Sequence, residues 1–411
     1  MGERKNPTLF YNMDAVKIAL PTVPKYVDNV SKKMKAMVKK HTKMLPFTGN
    51  YIVKNLFYIY LFKKYKMDCL IATQNPGGKI GTIGIFIVVK SARDPKALQG
   101  MDDTIESLAS CIIKKKEMIV VPVSIVVDVE GFKGAHANLL IYRKSLNQIE
   151  HFEPQGSMFQ GTHAEIINRE IDFYMNMFME KLNRRVSHLN DEIETTIFTL
   201  QKAELELMLN NLGANITGTK KVLANALSDL MTVPRVAFIK SDQVCPTLEG
   251  VQVLEIRSTL PVDPALEPSG GYCAAWSMFF TELCLKNPEA SSRQIFETIM
   301  DKIEDGNKND YLKRMIRGYT HFINKKISKY FTQIFDESIT IENVNSLIDN
   351  VKGSRTNDFL ALHMKLMTIL GFELGQTMAR ERMEELRISS KSSSSKSSSS
   401  SSSAKTRKKT P

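Results

Sequence analysis

Residues 274–285 read AAWSMFFTELCL, a stretch of helix length that is apolar on nearly all sides through Ala274, Ala275, Trp276, Met278, Phe279, Phe280 and Leu283. Such a helix has no face to give to water, so it must run through a core. Gly270 and Gly271 allow a tight turn before it, and Lys286-Asn287-Pro288 stops it. Cys273 opens it. A thiol at the start of a buried helix is either a packing residue or a nucleophile on a rigid support. Free cysteine is among the most buried residue types, which keeps the first reading open. A helix N-terminus favours the thiolate, and its first amides are natural oxyanion donors, which opens the second.

The rest of the chain supplies what that helix would be buried in. The run MIVVPVSIVV at 118–127 reads as a buried strand, and HANLLIYR and QIEHFE follow as two more β-rich runs. GTIGIFIVV at 81–89 is strand-like after the turn signal NPGGK at 75–79, and 164–190 reads as helix. The expected fold class is α+β: a small sheet with one buried cysteine helix, in a domain spanning 71–300. A basic helical region at 1–70 precedes it, with Val27, Val30, Met34 and Met37 at helical spacing. A helical region at 301–388 follows. The Ser/Lys-rich tail at 389–411 cannot form a core and is expected to be disordered. With 411 residues there is room for such a layout.

Composition narrows the function classes. No apolar stretch approaches the ~18–20 residues that span a bilayer, so no membrane partner is expected. The N-terminus MGERKNPTLF has no signal-peptide core, and Asn6 breaks the myristoylation pattern. The five cysteines (Cys69, Cys111, Cys245, Cys273, Cys284) are odd in number and widely spaced without a CxxC pair. That argues for free thiols in a reducing compartment, and against a disulfide framework and a zinc site; no cofactor is expected. The net charge of +12 sits in the two ends, within 1–70 and 391–411. Basic ends of this kind touch a polyanion or merely keep the chain in solution.

The hairpin 136–153 places a base beside an acid. If the strands 136–142 and 148–153 are joined by a turn near 144–145, paired residues sum to 289, which opposes His136 to Glu153 on one face. His151 then opposes Asn138. A carboxylate that accepts from one imidazole nitrogen orients the other, which is the base-and-orienter half of a thiol-protease triad.

The pieces VVPVSIVV, HANLLIY, IEHFEP and GGYCAAWS resemble the papain-like cysteine proteases that cleave ubiquitin-like (SUMO) modifiers, and the related adenovirus-type proteases. The wording is closest to a branch found in large DNA viruses, and the resemblance covers roughly 115–160 and 240–300. It implies a papain-like core, Cys273 as nucleophile, His136 as base and Glu153 as its orienting acid. It also implies a protein substrate: a viral precursor or a ubiquitin-like conjugate. Where the family carries a Gln oxyanion donor, this chain has Glu267, so the amide would come from Gln252 or Gln243. Residues 196–231 resemble the SAP motif, a DNA-binding helix-turn-helix, through Lys202-Ala203-Glu204-Leu205, Leu212-Gly213 and Gly218-Thr219-Lys220-Lys221-Val222-Leu223. Lys220 and Lys221 would contact phosphates, positioning the protein on DNA without reading sequence. The implied setting is intracellular, in host cytoplasm, nucleus or virion. The alternative is a catalytically inactive protease fold serving as a SAP-containing DNA-binding or virion structural protein.

Overall fold

The computed structural model describes residues 51–67, 69, 71–75, 79–90, 101–161, 163–260, 272–301 and 308–334. The amphipathic stretch at 27–37, the residues Gly270, Gly271 and Glu267, and the Ser/Lys-rich tail lie outside them. The centre is a five-stranded mixed sheet. Its strands in spatial order are β3 (Ile85–Lys90), β4 (Met118–Val129), β5 (Phe132–Arg143), β6 (Gln148–Phe152) and β7 (Ala237–Ile239). The inner pairs β4–β5 and β5–β6 are antiparallel, and the outer pairs β3–β4 and β6–β7 are parallel. A separate two-stranded sheet pairs β1 (Ala72–Asn75) with β2 (Lys79–Ile83). The strand expected over 81–89 is therefore two strands. The break falls at Gly84, whose φ is +90° and where a Cβ would stand 1.8 Å from the Pro122 carbonyl oxygen. Only glycine fits that approach.

The period-two pattern of β4 explains its faces. Ile119, Val121, Val123, Ile125, Val127 and Val129 enter one core with the buried sides of α2 (Met101–Ile113) and α3 (Ala164–Thr199). On the other side lies α8 (Cys273–Lys286), buried over every residue from Cys273 to Cys284 as its all-round apolarity predicts. Phe280 of α8 stacks flat on Phe152 of β6 at 3.8 Å between centroids. Two helices enclose α8: α1 (Tyr51–Tyr65) and α10 (Lys308–Ile334). The one acid in the buried run, Glu282, is satisfied there. It accepts from Lys64 at 2.5 Å, Tyr65 at 2.9 Å and Tyr319 at 2.9 Å. Burial would raise its carboxyl pKa, but these donors hold it below the ordinary value.

Between α3 and β7 the chain makes a helical pair, α4 (Lys202–Asn211) and α5 (Lys220–Met231), with a small core of its own from Ile197, Leu205, Leu209, Leu223, Ala224 and Leu227. Thr219 caps α5 by accepting from the Val222 N–H. After β7 come the short helices α6 (Ser241–Val244) and α7 (Val251–Ile256); α9 (Ser292–Asp301) follows α8. Arg143 ties these parts together. Buried at the end of β5, it donates to Glu150 at 2.8 Å and to the Pro288 carbonyl just past α8. Glu150 also takes the backbone N–H and hydroxyl of Ser292 at the start of α9.

The cysteines depart from the expectation of five free thiols. Cys69 and Cys111 are joined by a disulfide, linking the segment after α1 to α2, with Cα atoms 6.3 Å apart. Their 42-residue separation conceals a proximity that only the packing of α2 beside β1 creates. The three remaining cysteines are free and buried.

Candidate active site

The register of β5 against β6 differs from the sequence expectation. Leu139 opposes Phe152 and Arg143 opposes Gln148, a constant sum of 291 rather than 289. The turn is centred one residue later than expected, between 145 and 146: a 3₁₀ turn at Lys144–Leu146 is followed by Asn147 in the left-handed region at φ 46°. His136 and Glu153 are thus diagonal rather than directly opposed. A two-residue slip keeps every side chain on its face, because the strand period is two. Glu153 also lies one residue past the end of β6, where no ladder holds its side chain back. His136 Nε2 and Glu153 Oε1 meet at 2.6 Å, with both side chains almost wholly buried.

Cys273 completes the group. Its thiol lies close enough to the His136 ring to raise the imidazole's pKa alongside Glu153. The placement follows from the helix. Ser277, one turn after Cys273 on the same helix face, donates its hydroxyl to the carbonyl of Ala137 at 3.1 Å, the residue next to His136. That bond pins the first turn of α8 against β5 where His136 sits. Phe159 closes the far side, its ring edge-on to His136 at 5.3 Å.

Electrostatics follows from this geometry. Burial by itself would lower the pKa of His136. The charge of Glu153 and the hydrogen bond and charge of Cys273 outweigh it, raising the imidazole to about 10. His136 is therefore an imidazolium at neutral pH, held between an acid and a sulfur. The other two free thiols have no imidazole among the groups that shift them. Burial pushes Cys284 up to about 12 and Cys245 well above its ordinary value. Both are fully enclosed, whereas Cys273 keeps 7% of its surface open.

The loop after β6 fixes Glu153. Its Oε1 also accepts the Gln155 N–H at 2.8 Å. A strap at 245–252 is laced to that loop through Ser157 N–H to Thr247 O, Gly250 N–H to Gln155 O and Gln252 N–H to Pro154 O. The two backbones run so close that a Cβ on Gly250 would stand 2.3 Å from Gly156 N and 2.5 Å from Pro154 O. The strap also brings Cys245 close to Glu153, whose carboxylate and backbone both act on its thiol.

Of the two amides considered as oxyanion donors, Gln243 is committed to capping α6 through the Lys240 N–H. Gln252 is buried, and its Oε1 has no hydrogen-bond partner among the described residues. It stands two residues past the Gly250 crossing and one turn before Glu255. Glu255 is paired with Lys313, which lies over the Tyr272 ring at 5.0 Å, immediately before Cys273. Gln252 is thus linked to Glu153 on one side and, through Glu255 and Lys313, to Tyr272 beside Cys273 on the other. His151 opposes Leu140 rather than Asn138, yet its Nε2 still accepts from Asn138 Nδ2 at 2.9 Å. Burial lowers its pKa and keeps it neutral. Phe159 and the strap at 245–252 carried no sequence signal beyond the glycines. Lys220 and Lys221 are exposed on α5, in the helical pair with its separate core. No group of His, Cys, Asp and Glu among the described residues could hold a metal ion. No described helix is long and apolar enough to cross a membrane.

No protein-family model matches this chain, and neither a curated protein nor a solved structure matches it.

Proposed function

We propose that the chain is a thiol peptidase or isopeptidase built on a papain-like core, with Cys273, His136 and Glu153 as its triad. One observation carries the reading: the buried His136 holds the Glu153 carboxylate at 2.6 Å and has the Cys273 thiol, at the first residue of a buried helix, among the groups that shift it. The Cys273 thiolate attacks the scissile carbonyl and a C–S bond forms. The oxyanion is met by the first amides of α8 and by the Gln252 side-chain amide. The intermediate collapses, His136 gives its proton to the leaving amine, and an acyl thioester remains. Water then attacks with His136 as base, releasing the acid and restoring the thiolate. Glu153 stabilises the imidazolium and sets its orientation throughout.

The substrate class implied by the resemblance is a viral precursor or a ubiquitin-like conjugate. The pair α4–α5 is proposed to act as a SAP-like tether to DNA through Lys220 and Lys221, in an intracellular or virion setting. A tether of this kind raises the effective concentration near DNA-bound substrates.

p-Nitrophenyl acetate tests the chemistry without a known substrate. The wild-type protein is expected to release a burst of p-nitrophenol stoichiometric with protein, followed by slower turnover. Cys273→Ala abolishes the burst, and Gln252→Ala slows turnover by about 10²–10³-fold. A burst that survives Cys273→Ala contradicts the assignment.

A further inference from the structure

We infer that Lys54 and Ser124 form a subsite for a substrate carboxylate, on the stretch of sheet beside His136. The inference rests on the thiol-hydrolase reading above. Lys54 reaches from α1 to β4, is only 6% exposed, and donates to the Ser124 hydroxyl at 2.5 Å. Lys313 and Lys64 each meet an acid, Glu255 and Glu282. Lys54 does not. Among the described residues no carboxylate acts on it, and burial alone draws its amine down to about 8. It is therefore still mostly charged at neutral pH. An ammonium enclosed without a counter-charge is costly to keep, and a carboxylate brought by a ligand removes that cost. The Ser124 hydroxyl accepts from Lys54 and has its own proton to give, so the pair offers one anion both an ammonium and a hydroxyl donor.

The strand register puts this pair at the site. Ser124 stands between Phe86 of β3 and Ala137 of β5 in one cross-strand row. The odd-numbered residues of β4 enter the core with α2 and α3, so this row faces the other side, where α8 lies. Ala137 is the residue next to His136, and its carbonyl accepts from Ser277, one turn after Cys273. From Ala137 to Ser124 is one strand spacing, about 4.8 Å. An extended peptide advances about 3.3–3.6 Å per residue, so a side chain about two residues from the scissile bond spans that gap. The row is open to such a chain: Phe86 is 44% exposed, and Ser124 and Ala137 are half-buried. Two rows further out the same face carries Lys90, Asp128 and Lys133, all exposed, two cations to one anion. The chemistry that fits is a peptide with Asp or Glu about two residues from the cleaved bond.

Two alkylating peptides test this directly. N-iodoacetyl-Gly-Glu-amide and N-iodoacetyl-Gly-Gln-amide share one shape and differ by one charge. They are offered together at equal concentration, and the Cys273 adducts are measured by mass spectrometry. In each case the thiolate attacks the iodoacetyl carbon, a C–S bond forms, the C–I bond breaks and iodide leaves. At pH 7 the Glu adduct is expected about tenfold more often in the wild type, the scale of one charge-assisted hydrogen bond. The ratio should fall toward one in Lys54→Met, which keeps an unbranched stem and removes the charge. It should also fall in the wild type between pH 7 and pH 9 as Lys54 loses its proton, whereas His136, beside the row, keeps its charge to about pH 10. Because the reading is a ratio within each protein, changes in thiol reactivity cancel. Equal labelling in the wild type, a preference that survives Lys54→Met, or one unchanged up to pH 9 overturns the subsite. A Cys273 left unlabelled by both peptides at pH 7 instead overturns the hydrolase reading itself.

Discussion

His136 carries the largest electrostatic commitment at the site: an imidazole in a buried place that by itself disfavours its charge, charged because Glu153 and Cys273 flank it. A folded-state pKa near 10 against an ordinary 6.5 means the folded protein holds this proton more tightly than the unfolded chain. The resulting stabilisation is fully present below about pH 6.5 and is lost as the pH rises toward 10. The melting-temperature gap between wild type and His136→Gln should therefore be widest near neutral and mildly acidic pH and shrink by pH 10. A gap that is flat or grows over that range contradicts the ion pair. Glu153→Gln keeps the shape and removes the charge. It is expected to lower p-nitrophenyl acetate turnover by about 10²–10⁴-fold, the usual weight of acid–base assistance, and turnover unchanged by it removes Glu153 from the triad.

At the scale of elements, the site depends on two contacts that sequence patterning did not indicate. The first is the Phe152–Phe280 stack that seats α8 on β6. Phe280→Ala is expected to cost about 3–5 kcal/mol of stability, read by urea unfolding. The second is the crossing of Gly250 over Gly156. Gly250→Ala should displace Gln252 and Glu153 together, so turnover falls even where the melting temperature is kept. The His136–Glu153 contact was legible because strand parity is robust: a hairpin register wrong by two residues still put the two on one face. The register was not legible, because the KSLN turn gives no signal of whether it closes as a 3₁₀ turn with a left-handed Asn147. The buried helix was legible from its apolarity alone. The strap at 245–252 was not, since its role arises from backbone hydrogen bonds that any residue types can make.

For the molecule as a whole, chemistry and the proposed tether occupy parts with different cores. The sheet, α2 and α3 form one apolar cluster, and α4 and α5 form another. The disulfide Cys69–Cys111 belongs to the first. It defeated the cysteine arithmetic because pairing is a tertiary fact that spacing does not encode. If the helical pair contacts DNA through phosphates, the double change Lys220→Glu and Lys221→Glu should weaken binding uniformly across sequences. It should also reduce the slope of log affinity against log salt by about two, measured by fluorescence anisotropy. Unchanged affinity and slope would exclude that contact.

The most direct test of the central claim is the pH dependence of Cys273 alkylation by iodoacetamide, followed by mass spectrometry in wild type and His136→Ala. A thiolate paired with an imidazolium labels rapidly well below pH 8, and the labelling slows in His136→Ala. Slow labelling in both proteins, rising only above about pH 8.5, would mark Cys273 as an ordinary packed thiol and contradict the account.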